Sequence, residues 1–253
     1  MTTMEVGTLL RAWRQRRRLS QLELAGRAEV SGRHLSFVET GRSRPSADMV
    51  LRLADHLEVP PRERDTLLIA AGFAPRHAHP EDTAEVLASF RTLVDAHQPY
   101  PAVLLDRYWD LVDANDAVAP LLADCAPRLL EPPVNVVRLS LHPDGLAPRI
   151  INLTLWREHL LHQVAARADH TADPRLAALY AECRQYPSNG TAPTPSGPVA
   201  ELVLCVADDA PPLRLFSVVS AVLTAHDATI DELHLETFLP ADETTRSRLH
   251  PPH

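Results

Sequence analysis

Residues 20–46 read SQLELAGRAEVSGRHLSFVETGRSRPS. Ser20 and Glu23 have the spacing of a capping box, in which the serine hydroxyl accepts from an orphan N–H and the glutamate reaches back to the serine's own N–H. Leu24, Ala25 and Ala28 then fall on one face of a short helix. Ser31 is a second N-cap, and Leu35 and Val38 supply the apolar side of the helix it opens. Gly41 stands where a helix stops on a left-handed C′ residue. The pattern predicts two short helices joined by a tight turn, small residues where they touch and polar residues facing outward.

The same reading extends in both directions. Val6, Leu9, Leu10 and Trp13 recur at i, i+3, i+4 and i+7, one apolar stripe on a preceding helix. A fourth helix starts near Ser46, with Val50, Leu53, Ala54 and Leu57 inward, and Pro60-Pro61 opens a fifth that ends near Gly72. Residues 1–75 therefore read as an all-α, five-helix domain. Residues 76–98 read as a connector whose Val86, Phe90, Leu93, Val94 and His97 share a helical face; a solvated linker and a dimerisation or signalling helix both fit.

From Tyr100 the pattern changes. Val103-Leu104-Leu105 and Leu111-Val112 read as short strands around Asp106-Arg107, followed by a helix near 117–122. Residues 150–168 and 174–185 read as helices, 187–198 as a Pro/Ser/Gly loop, and 201–206 with 213–223 as a hairpin around 208-DDAPP-212. Leu233, Leu235 and Thr237 alternate as a last strand. Residues 99–253 thus form an α+β domain, and the chain is multidomain.

Composition narrows the function. No apolar run approaches the roughly 18 residues of a membrane-spanning helix, and the first residues carry their charges after their apolar residues, the reverse of a secretory signal. A cytoplasmic protein is expected. Cys125, Cys183 and Cys205 lie far apart and form no CxxC, which speaks against a disulfide framework or a sequence-local zinc site. Residues 1–75 hold 12 Arg against 9 acids, whereas 76–253 hold 13 Arg against 24 acids, within a net charge of −8. A basic head on an acidic body suggests that the head alone meets a polyanion.

A helix held proud of its neighbour by a tight turn fits a major groove about 12 Å wide. Gly32, Arg33, His34, Ser36 and Phe37 lie on or near the front of that helix. The segments LSQLELA, AEVS and HLSFVETGRSRPS closely resemble the helix-turn-helix domain of the XRE (Cro/C1 repressor-like) family. The resemblance implies that Gln21 contacts phosphate and steadies the recognition helix. It places Ser31, Gly32, Arg33 and His34 at the groove-entering end, and has Arg42 and Arg44 grip the DNA backbone. Arg33 is the best base reader, since a guanidinium pairs in bidentate fashion with guanine O6 and N7. Glu29 stands in the turn where the family usually has glycine. Arg14, Arg16, Arg17 and Arg18 read as a solvated charged face.

Three further segments, 108-YWDLVDAND-116, 138-RLSLHPDGLAPRIINLTLWREHLL-161 and 231-DELHLETFLPAD-242, resemble the C-terminal ligand-binding domain of MmyB-like transcription regulators, a PAS-like fold. That resemblance implies a buried pocket for a hydrophobic small molecule such as a fatty acid, with no cofactor required. Trp109, Leu111, Val136, Leu139, Leu141, Trp156, Leu160, Phe216 and Val218 are candidate lining residues, each equally at home in an ordinary core. Arg138 and His142 sit within apolar segments, where a charged or titrating group needs a partner. A ligand's carboxylate headgroup, a nearby Asp or a backbone carbonyl would serve.

The expected protein is a ligand-responsive regulator that reads an inverted-repeat operator as a homodimer, with double-stranded DNA, a small hydrophobic ligand and itself as partners. One rival is a DNA-binding scaffold whose second half binds a partner protein. Another is a metal or haem redox sensor, invited by His159-x-x-His162 and His77-Ala-His79. That rival lacks the H-E-x-x-H glutamate and a cysteine cluster, so no metal ligand is assigned. No G-x-S-x-G elbow or phosphate-cradling glycine loop is present, and no catalytic residue is expected.

Overall fold

Three serine caps lay out the first part of the fold. In the computed structural model, which describes residues 5–76, 83–187, 200–207, 209–221 and 233–250, α1 spans Val6–Arg16, α2 Gln21–Arg27, α3 Gly32–Glu39, α4 Ala47–His56 and α5 Pro61–Ala70. Both halves of the capping box form: Ser20 Oγ accepts from the Glu23 N–H at 3.1 Å, and the Ser20 N–H donates to Glu23 at 2.7 Å. Ser31 and Ser46 cap α3 and α4 through the hydroxyl alone, accepting from the His34 and Met49 N–H groups. Leu10, Leu24, Leu35, Leu53, Leu57 and Leu67 are fully buried between the helices.

Helix ends in this unit carry local strain. Arg18, Glu29 and Glu58 stand at the C′ positions of α1, α2 and α4 with φ of 55°, 55° and 50°, each one residue past the cap. Side chains in this left-handed region cost about 1–2 kcal/mol each. Gly41 meets the same demand after α3 without a Cβ, at φ 72°. Gly7 answers a different one: a Cβ there would lie 2.1 Å from the Val38 carbonyl oxygen, so α1 and α3 approach through it.

The chain divides into two compact units, with α1–α5 in the first and the following elements in the second. In the second, α6 (Thr83–Asp95) precedes β1 (Ala102–Leu105), β2 (Leu111–Ala114), α7 (Ala119–Leu122), α8 (Val136–Leu141), α9 (Leu153–Thr171), α10 (Pro174–Cys183), β3 (Glu201–Leu204), β4 (Leu213–Ala221), β5 (His234–Pro240) and α11 (Glu243–Leu249). The strands form one antiparallel sheet in the order β2-β1-β5-β4-β3. One face carries Val103, Leu105, Leu202, Leu204 and Leu215, packed with Leu139, Trp156, Leu160 and Val164 of the helices. On the other face, Phe90 and Val94 of α6 pack against Ala102, Leu104, Leu233 and Leu235.

The connector is therefore not a fully solvated linker. Its helix buries one side on the sheet, and Asn115 fixes it there: Asn115 Nδ2 donates to the carbonyls of Val94 and Tyr100, and its Oδ1 accepts from the Ala102 N–H. Two helices, α8 and α11, go beyond the expected elements, and α9 begins at Leu153 rather than 150. Apart from Pro187, the 187–198 loop lies outside the described residues, as do His77 and His79. Among the described residues no helix is long and apolar enough to cross a membrane.

Candidate DNA interface and ligand cavity

The outward face of α3 begins at its cap. Ser31 Oγ accepts from the His34 N–H at 3.1 Å, which leaves Arg33 and His34 exposed on the first turn. A Cβ at Gly32 would meet nothing within 4 Å, so this position presents open backbone. The Arg33 guanidinium lies 5.4 Å from the centre of the Phe37 ring, a cation–π contact that holds it along the helix. Ser36 and Phe37 are half-buried one turn on, while Arg42 and Arg44 are exposed past the helix end. Gly32, Arg33, His34, Ser36 and Phe37 lie on α3, Ser31 caps it, and Arg42 and Arg44 follow it.

Gln21 has a second task. Its Nε2 donates to Glu39 Oε2 at 2.8 Å, tying the start of α2 to the end of α3. The same carboxylate receives two bonds from Arg14, from Nε at 2.6 Å and Nη2 at 2.8 Å. Arg14 and Glu39 are only 8 % and 5 % exposed, so this is a buried bidentate pair between α1 and α3. Burial alone would push the Glu39 carboxyl up, but the bonds from Arg14 and Gln21 outweigh it and hold the carboxyl below its ordinary value.

The solvated-face reading of the arginine run is thereby corrected for two residues. Arg14 is internal, and Arg17 donates to the Leu57 and Glu58 carbonyls at 2.9 and 3.0 Å, satisfying the end of α4. A run of like charges does not reveal which members turn inward. Position relative to the Trp13 stripe was the available signal for Arg14, one residue from it.

In the second unit a cavity of about 80 Å³ lies between the sheet, α8 and α9. Of the candidate residues, Leu111, Val136, Leu139, Trp156 and Leu160 line it. Val103 of β1, Leu202 and Leu204 of β3, and Glu236 and Phe238 of β5 complete the sheet side. Leu121 and Leu122 of α7 close another wall. Among the described residues the wall is apolar except at Ser140 and Glu236, with no arginine or histidine on it.

Six candidates do not line this cavity. Phe216 and Val218 are 38 % and 40 % exposed, because β4 directs Leu213 and Leu215 to the core and the opposite parity away from it. Leu141 is buried in the core beside the cavity. Trp109 is buried in the left-handed region at φ 62°, under the Arg167 guanidinium and edge-on to His234. Arg138 makes two bonds to Glu182, at 2.6 and 2.8 Å, and that pairing raises its pKa. His142 accepts from the Asp144 N–H through Nδ1 and lies against Tyr186. For Arg138 the partner is a glutamate, neither a ligand headgroup nor the aspartate that the sequence reading considered.

Glu236 is the charged wall residue that sequence reasoning missed. It sits at the middle of central strand β5, paired with Val103 of β1 and Val219 of β4, and is 6 % exposed. Ser217 Oγ donates to one of its oxygens. Burial pushes its carboxyl up toward the neutral form. Trp156 has the complementary defect: its buried indole N–H finds no acceptor among the described residues, an omission that costs about 1–3 kcal/mol. An acidic residue within an apolar strand was the only sequence signal for Glu236.

Residues 86–250 match the ligand-binding domain of MmyB-like transcription regulators, and residues 5–67 match a helix-turn-helix domain. Uncharacterized HTH-type transcriptional regulators of Mycobacterium tuberculosis strains CDC 1551 and H37Rv are each 31 % identical over 111 residues, 44 % of this chain and 74 % of theirs.

Proposed function

The chain belongs to the MmyB-like helix-turn-helix transcription regulators, and from that premise we propose a homodimer that reads an inverted-repeat operator under the control of a hydrophobic, fatty-acid-like small molecule. The exposed first turn of α3, with Arg33 and His34 forward and Leu35 and Val38 buried behind, carries the DNA half of this reading. Arg33 contributes base discrimination, and Arg42 and Arg44 contribute backbone attraction. One head of this size offers few base contacts, since Gly32 brings none. A two-fold partner supplies the rest, with half-sites about 34–36 Å apart or a multiple of that.

The apolar cavity supports the ligand half. At about 80 Å³ it is smaller than the ~150 Å³ cavity known to admit benzene, so an acyl chain enters only if α8 or α9 moves away from the sheet. That motion is the means of control: a ligand shifts the balance between two arrangements by its differential affinity for them. The α6 face bearing exposed Leu93 is where the two subunits meet or the signal passes.

Selection of bound duplexes from a random pool, followed by anisotropy titration over a salt series, tests the reading. A palindromic consensus is expected, with log K falling by about 0.9 per phosphate neutralised for each decade of salt. Arg33→Ala is expected to lose roughly 1–3 kcal/mol of discrimination at one base pair per half-site, with unchanged thermal stability. No enriched duplex at micromolar protein in low salt, or an Arg33→Ala protein with wild-type preference, would refute the corresponding part.

A further inference from the structure

We infer that the Trp156 indole N–H is the donor that fixes the headgroup oxygen of the fatty-acid-like ligand, an inference that rests on reading the cavity as the ligand pocket. An unpaired donor on the wall carries it. Trp156 is 3 % exposed and lines the cavity, and its buried Nε1 has no hydrogen-bond partner among the described residues. Buried polar groups are as a rule paired, so an unpaired donor on a cavity wall calls for an acceptor from elsewhere. A cation would also serve an acyl headgroup, but among the described residues no arginine or histidine lines the wall. Arg138, the cation nearest in sequence to the wall residues Val136 and Leu139, is held by both Glu182 oxygens. Recognition of the headgroup therefore falls to neutral donors.

The indole stands on the helix side of the cavity. Trp156 belongs to α9, and Ser140, whose hydroxyl can also donate, belongs to α8. Glu236 stands on the sheet side, on β5, where Ser217 bonds to it. Displacement of α9 from the sheet, which lets an acyl chain in, also carries a headgroup held by Trp156 away from Glu236. A carboxylate and a carboxylic acid each present an acceptor oxygen, so the bond forms in either protonation state of the headgroup. In the closed cavity the N–H has no acceptor, whereas the opened, liganded arrangement supplies one. That difference favours the opened arrangement only when ligand is present, which is what a ligand-driven shift requires.

The test is a proton–nitrogen NMR titration of the full-length protein with decanoate and with n-hexane, a hydrocarbon that offers no acceptor. Indole N–H signals come from Trp13, Trp109 and Trp156. Loss of a signal in Trp156→Phe identifies the third, and Trp13→Phe and Trp109→Phe identify it by elimination should that variant fold poorly. Decanoate is expected to move the Trp156 signal downfield, as a new hydrogen bond does, and n-hexane is not. Trp156→Phe should weaken decanoate binding about tenfold, the loss of one hydrogen bond to a buried donor, while n-hexane binding stays within about threefold. A Trp156 signal that stays in place while decanoate binds overturns this inference and leaves the cavity reading standing. Decanoate affinity unchanged in Trp156→Phe, or equal weakening of both probes, which lost packing alone would produce, does the same. Binding of neither probe overturns the cavity reading, and this inference falls with it.

Discussion

The two units keep their buried acids differently. In the helical head, Glu39 is ionised and held by Arg14 and Gln21, so its charge is internal cross-linking between α1, α2 and α3. In the sheet unit, Glu236 has one serine for company and is pushed toward the neutral form. A fully partnered buried carboxylate makes a rigid platform, and the exposed Arg33, His34, Arg42 and Arg44 lie outside it, on the surface. A half-partnered one sits on the wall of the apolar cavity. Burial by itself therefore says little about a polar residue; the number of its partners says what it is for.

The largest way to break this contrast is to remove one side of the ionic tie. Arg14→Ala leaves Glu39 charged and buried, and should cost roughly 3–5 kcal/mol of head stability. Hydrogen exchange of the α1–α3 amides should show it, with operator binding lost as α3 loosens. The pH dependence follows from the same bonds. Because the folded Glu39 titrates below its ordinary value of 4.5, the stability it contributes is full above that value and is lost as pH falls through the lower, folded one. Wild type should show that acid-induced decline, and Arg14→Ala should show less of it.

A pair of substitutions sharpens the contrast in the second unit, where packing and not charge governs. Leu215→Ala empties a fully buried position on the core face of β4 and should cost about 2–5 kcal/mol. Val218→Thr, three residues on along the strand and 40 % exposed, should stay within about 0.5 kcal/mol. Equal effects in chemical denaturation would contradict the strand parity described above. The smallest expected change is a gain. Glu29→Gly relieves the left-handed residue in the helix-turn-helix turn and should add about 1 kcal/mol to head stability, with DNA affinity unaltered, since Glu29 belongs to the turn and not to α3.

How far each region was legible follows from what each depends on. Capping boxes, C′ positions and i, i+3, i+4 stripes act within a few residues, so Ser20, Ser31, Gly41 and the leucines of α2–α4 announce their roles in order along the chain. The exposed face of α3 follows by subtraction once Leu35 and Val38 turn inward. Five cavity residues, Leu111, Val136, Leu139, Trp156 and Leu160, were legible as apolar members of periodic segments. Phe216 and Val218 were not placed correctly, because LRLFSVVSA has apolar residues on both parities and a shift of one residue exchanges its faces. The partners of Arg138 and His142 stayed open because Glu182 and Tyr186 come from another helix and the loop after it.

The sequence alone thus determined the helix-turn-helix, its outward residues and the division into an α-helical head and an α+β body, since these rest on local hydrogen bonding and helical period. Only the tertiary structure decided that Arg14 is internal, that Arg138 is already paired and that Glu236 stands on a cavity wall. Those facts depend on which strand and helix lie opposite, and a strand's partners are fixed by packing across more than a hundred residues of chain, as the pairing of Val103 with Glu236 illustrates.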